Sequence, residues 1–77
     1  MKYKDFVEAL ILGREIEFEL KGSKYFISHD EKNYSIWDEA KLEYIFLGTI
    51  DEMLTFEFLE NITFNNNFSE FLIKFIL

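Results

Sequence analysis

Glu15, Glu17 and Glu19 form the most regular array of ionisable groups in the chain. Within Arg14–Lys21 they alternate with Ile16, Phe18 and Leu20. Residues two apart on a strand share a face at roughly 7 Å spacing, so these carboxylates form a row. A periodic row of negative charge can imitate a phosphate backbone and occupy a basic nucleic-acid groove. The same row also reads as an ordinary solvated sheet face, neutralised by Arg14, Lys21 and Lys24. Phe26 and Trp37 are expected on that face. Exposed aromatic pairs serve as interface anchors, unless a helix covers them.

No other group of reactive residues gathers into a catalytic pattern. His29 is the single histidine, beside Asp30 and Glu31. A catalytic base needs an oriented nucleophile or electrophile, and no Ser-His-Asp or Cys-His arrangement is assignable, so His29 reads as a rim residue. Asp30, Glu31, Asp38, Glu39 and Glu43 offer oxygen ligands, but without EF-hand spacing or a ligand-loop glycine they read as turn polarity. Glycoside hydrolysis by paired carboxylates needs a cleft that so small a domain does not supply. The absence of cysteine excludes disulfides and thiolate metal sites. The expectation is a non-enzyme with no cofactor and no metal.

Composition narrows the partners. Fifteen acids against eight bases give a net charge of −7, which disfavours nucleic acid and anionic membranes and favours a basic protein surface. Asp5 and Glu8 interrupt any apolar run after Lys2 and Lys4, so no signal peptide is expected. Phe71–Leu77 contains Lys74 and is too short to span a bilayer. The reading is a soluble, cytoplasmic protein. With 49% hydrophobic residues, one 77-residue domain can build a core without staples.

The elements that must position these groups follow from periodicity. Phe6, Val7, Leu10 and Ile11 predict a helix over Lys4–Leu12, closed by Gly13. Gly22-Ser23 suits a two-residue primed turn, placing Lys21 opposite Lys24, Leu20 opposite Tyr25, Phe18 opposite Ile27 and Ile16 opposite His29. Ile16, Phe18, Leu20, Tyr25 and Ile27 then form the core face. Asp30–Asn33 makes a second turn and Tyr34–Asp38 a third strand, with Tyr34 and Ile36 inward, Ser35 and Trp37 outward, and Phe26 opposite Trp37. Leu42–Leu47 is a candidate fourth strand. Thr49-Ile-Asp-Glu52 has the form of a capping box opening a helix, Asn61–Phe64 is an extended connection, and Asn65–Asn67 is a turn. Ser69 is placed to cap a last helix bearing Phe68, Phe71, Leu72, Phe75 and Ile76 at helical spacing. The expected fold is α+β: a short N-terminal helix, a three- or four-stranded antiparallel sheet and two C-terminal helices.

The run Leu12-Gly-Arg-Glu-Ile-Glu-Phe18, Gly22 with Tyr25 and Ile27, and Tyr34-Ser-Ile-Trp-Asp38 resembles a group of small uncharacterised proteins of Gram-positive bacteria and their phages. Thr49-Ile-Asp-Glu-Met-Leu54, Asn61-Ile and Phe68-Ser-Glu-Phe-Leu72 extend the likeness over most of the chain. It implies a helix, a β-ribbon and C-terminal helices, and no activity. Asn65–Asn67 stands where that group suggests a glycine turn. Small acidic proteins of phages and mobile elements, anti-CRISPR proteins among them, inhibit host nucleases, an analogy of size and charge. The functional expectation is an acidic inhibitor that blocks a basic surface through Glu15, Glu17, Glu19, Phe26 and Trp37. The alternative is a self-associating accessory protein that dimerises through its C-terminal helix.

Overall fold

The structure, a computed structural model, describes all of residues 1–77. In chain order it contains helix α1 (Tyr3–Ile11), strands β1 (Ile16–Leu20), β2 (Ser23–His29), β3 (Tyr34–Asp38) and β4 (Glu43–Gly48), helix α2 (Ile50–Leu54), the single-turn helix α3 (Phe64–Asn67) and strand β5 (Phe71–Ile76). A 3-10 turn, Phe68–Glu70, joins α3 to β5. The five strands form one antiparallel sheet in the order β4-β3-β2-β1-β5. The fold is α+β, with one strand more than the sequence suggests.

Strict alternation gives β1 one packed face, and pairing with β2 and β5 makes it an interior strand. Ile16, Phe18 and Leu20 are buried, while Glu17 and Glu19 between them are half-buried. The β1–β2 register differs from the expected one by two residues: Ile16 faces Ile27, Phe18 faces Tyr25 and Leu20 faces Ser23. The turn residues are Lys21 and Gly22, at φ 49° and 85°, rather than Gly22 and Ser23. Both central residues of a type I′ turn need positive φ, and this choice puts the glycine second. Because side chains alternate with period two, a shift of two leaves every residue on its expected face. The β2–β3 register is as expected, with Phe26 opposite Trp37 and Ile27 opposite Ile36. The Asp30 carboxylate holds the connecting turn by accepting from the backbone N–H groups of Lys32 and Asn33, each at 2.8 Å.

Phe6 and Leu10, one helical turn apart, bury α1 against the sheet. The helix ends in a Schellman motif around Gly13, whose φ is +81°. The N–H of Gly13 donates to Leu10 O and that of Arg14 to Ala9 O, both at 3.0 Å. From the sheet side, the Tyr34 hydroxyl donates to Leu10 O at 2.7 Å. His29, the cross-strand partner of Tyr34, places Nε2 2.7 Å from Gly13 O. The single histidine is thus an exposed rim residue that ties the end of α1 to the end of the ribbon.

The capping box of α2 is formed in both directions: Glu52 N donates to Thr49 Oγ1 at 3.1 Å and Thr49 N to Glu52 Oε1 at 2.9 Å. These bonds hold the Glu52 carboxyl below its ordinary range, with the Thr49 backbone N–H as the largest cause. The tail departs from expectation. Asn65–Asn67 lies within α3, capped by Thr63 Oγ1, which accepts from Asn66 N at 3.0 Å. Ser69 caps no helix, and the last helix is instead strand β5 on the free edge of β1. A short apolar run satisfies either period, and pairing decides between them: an open β1 edge offers a ladder of hydrogen-bonding groups that a helix would leave unused.

All the covering elements lie on one side. Phe6 and Leu10 of α1, Met53 of α2 and Phe64 of α3 join Ile16, Phe18, Leu20, Ile27, Ile36 and Phe71 in a single buried cluster. Phe18, Phe58, Phe64 and Phe71 form its aromatic centre, with ring centroids 4.4–5.8 Å apart. No helix is long and apolar enough to cross a membrane.

Candidate functional site

With α1, α2 and α3 packed on one side, the opposite face of the sheet carries no second layer. Its central row runs across all five strands through directly paired positions: Tyr44, Trp37, Phe26, Glu17 and Phe75. Four aromatic residues and one carboxylate thus stand within cross-strand contact distance of their neighbours. Tyr44 and Phe75, at the two edges, are 62% and 61% exposed. Phe26 and Trp37 are half-buried by their neighbours in the sheet, and no C-terminal helix covers them.

The structure separates the three glutamates by environment. Glu15 precedes β1, and its carbonyl accepts from Leu77 N at 2.8 Å. Glu17 is paired with Phe26 on one side and Phe75 on the other. Glu19 lies opposite Lys24 and forms the chain's one ion pair, with Lys74 at 3.6 Å. Lys74 is the extra residue of a β-bulge in β5, opposite the Glu17–Phe18 step of β1. Compensation of the acidic row therefore comes from the C-terminal strand. Arg14 instead directs Nε to Leu77 O at 2.8 Å. Of the three carboxylates, Glu17 is the one held between aromatic neighbours without a cation.

Phe26 and Trp37 do not close on one another. Trp37 pairs edge-on with Tyr44, centroids 4.9 Å apart and planes at 75°, a favoured aromatic geometry. A shallow cleft of about 270 Å³ remains, lined by Glu17, Tyr25, Phe26, Trp37 and Glu39. Glu39 arrives from the turn after β3, which Asp38 shapes by accepting from Ala40 N at 3.0 Å and Lys41 N at 3.1 Å.

Sequence reasoning brings Glu17, Phe26 and Trp37 together as found, and misses Tyr44, Phe75 and Glu39. Tyr44 faces outward because a bulge between Ile36 and Trp37 resets the β4 register, and a bulge leaves no reliable mark in an apolar strand. A helical reading of the tail hides Phe75, which belongs to strand β5. Asp30 and Asp38 each serve their own turn, and nowhere do three or more acidic or histidine side chains converge as a metal site would require. No protein-family model, curated protein or solved structure matches this chain.

Proposed function

We propose that this protein is a non-catalytic binding module whose uncovered sheet face docks on a basic surface of a host protein. In its concrete form it is a phage or mobile-element inhibitor of a host defence nuclease, comparable in size and charge to anti-CRISPR proteins. The observation that carries the reading is the row Tyr44–Trp37–Phe26–Glu17–Phe75 on a face no other element covers. In this reading Phe26 and Trp37 supply the desolvated anchor area typical of interface hot spots. Glu15, Glu17 and Glu19, within a net charge of −7, steer the approach of a cationic partner.

The test is a pull-down from bacterial lysate with the tagged protein, a Phe26→Ala/Trp37→Ala variant and a Glu15→Ser/Glu17→Ser/Glu19→Ser variant, each checked for folding. The expected outcome is a basic partner that both variants lose and that added salt weakens, as screening of steering charges requires. A partner indifferent to both variants and to salt sinks the reading.

The alternative is self-association, moved from the expected helix to β5. Leu72 and Phe75 on the edge strand β5 and Leu77 just after it are 56%, 61% and 65% exposed, and such an edge recruits a second strand. Light scattering separates the two readings: a dimer broken by Phe75→Glu favours self-association, and a monomer at high concentration dismisses it.

A further inference from the structure

We propose that the cleft between Phe26 and Trp37 is a socket for one arginine side chain of the basic partner, an inference that rests on the binding reading above. Three features of the cleft converge on that ligand.

Its aromatic walls are Phe26 and Trp37; Tyr25 also borders it, but its ring turns inward and stacks on Phe18 at 5.2 Å. The faces of such rings attract cations, tryptophan most strongly. Its acceptors are two carboxylates that approach from different elements, Glu17 from β1 and Glu39 from the turn after β3. Neither has an intramolecular cation, since the chain's one ion pair joins Glu19 to Lys74. Lys24 lies close in the chain path, its carbonyl accepting from Glu39 N at 3.1 Å, yet it makes no ion pair with Glu39. Glu17 as a residue is half-buried, paired with Phe26 and Phe75 on either side, so an incoming cation meets it beside apolar rings rather than on an open, fully solvated surface.

Arginine fits this combination better than lysine. A planar guanidinium stacks on aromatic rings while its fixed fork of N–H donors reaches more than one carboxylate. An ammonium is a compact, strongly hydrated point charge that would surrender more of its water on entering. The volume of about 270 Å³ suits one side chain and not a folded element, so a residue protruding from the partner is the occupant.

The experiment is a titration of the isotope-labelled protein with N-acetyl-arginine amide, followed by amide and indole N–H resonances. N-acetyl-lysine amide and N-acetyl-citrulline amide, the latter a neutral isostere of arginine, serve as comparisons. Saturable shifts are expected at the Trp37 indole and at the amides of Glu17 and Phe26. Lysine should bind about fivefold more weakly, for want of the planar fork, and citrulline should give no saturable shift. Glu17→Gln should weaken arginine binding roughly tenfold, the effect of losing one charge-assisted bond. Glu39→Gln, a change on an exposed turn that leaves the strands untouched, should weaken it in the same direction. Shifts that are absent, equal for lysine or citrulline, or unaffected by both glutamine variants overturn the socket. If the socket fails while the lysate partner is still lost in Phe26→Ala/Trp37→Ala, the docking face stands without it. If that partner ignores the aromatic variant as well, the face itself is refuted.

Discussion

Phe18 and Trp37 sit on the same sheet, two strands apart, and meet opposite fates. Phe18 is fully buried and its ring meets those of Tyr25, Phe58, Phe64 and Phe71. Trp37 faces the other way, pairs edge-on with Tyr44 and borders an open cleft. On the inner face aromatic residues satisfy one another beneath α1, α2 and α3. On the outer face they lie in a row with nothing above them. The same period-two alternation produces both arrangements, so the difference lies in what covers each face. Aromatic residues beneath a layer hold the fold together, and those left in the open are available to another molecule.

The largest expected effect breaks this comparison at its inner side. Phe18→Ala should destabilise the protein by about 3–5 kcal/mol, the usual cost of emptying a buried aromatic site. For a small domain that is a large share of the total, and urea denaturation followed by circular dichroism should find the variant mostly unfolded at ambient temperature. Trp37→Ala should cost no more than about 1 kcal/mol by the same measurement, as expected of a partly exposed residue outside the core. Equal losses would mean that the outer row is structural and would remove the ground for a docking face.

The next effect concerns how the covering layer is pinned. Gly48 joins β4 to the cap of α2, and a Cβ built there would stand 2.7 Å from Glu52 Oε1 and 2.9 Å from Phe46 Cζ. Gly48→Ala must therefore push the Glu52 carboxylate off the Thr49 N–H or displace the Phe46 ring. A loss of about 1–2 kcal/mol is expected, the range of a lost helix cap. Thermal unfolding of Gly48→Ala beside Glu52→Gln checks it: if the clash acts through the cap, the double variant loses less than the sum of the two single ones.

Much of the outer face was legible because it depends on parity alone. Glu17, Phe26 and Trp37 share a side whichever of two even registers the hairpin takes, because moving the turn by one residue shifts the pairing by two and keeps every side chain on its face. The covering layer was only half legible. The α2 capping box has a four-residue signature, and Gly13 marks the end of α1 by chemistry. Phe71–Ile76 has no such marker: Phe68, Phe71, Leu72, Phe75 and Ile76 fit a helical stripe as well as they fit a strand. What decides it is the vacant edge of β1, a tertiary fact outside the segment. Tyr44 and Phe75 escape the sequence for a related reason: a bulge in β4 and, once the tail is a strand, a bulge in β5 set which residues face out.

A smaller effect sharpens the parity argument. Lys21 adopts φ 49° at the first central position of the β1–β2 turn, a conformation that asparagine tolerates better than lysine. Lys21→Asn should raise stability by about 0.5 kcal/mol through relief of backbone strain, without disturbing either face. Interstrand contacts by nuclear magnetic resonance should keep Ile16 opposite Ile27, and a move of that pairing would show that the register is weakly held.

The smallest effect distinguishes carboxylates that serve the fold from those offered outward. The carboxyl groups of Glu52 and Asp30 are both held below their ordinary range by backbone N–H groups, those of Thr49 for Glu52 and of Asn33 and Lys32 for Asp30. A depressed folded-state pKa means the unfolded chain takes up the proton first as pH falls. Their contribution is therefore fully present above the unfolded carboxylate pKa of about 4, and it is lost as pH drops through the lower folded value. Melting temperature measured from about pH 5 down to about pH 2.5 should thus fall less steeply in Asp30→Asn and Glu52→Gln than in the parent, because each variant has one fewer such group to titrate. Both carboxylates are exposed, so the change in slope should be small, and salt should reduce it little because the bonds are local. Slopes identical to the parent's would mean that these two caps do not persist in solution, and that the turn at Asp30 and the start of α2 rest on packing alone.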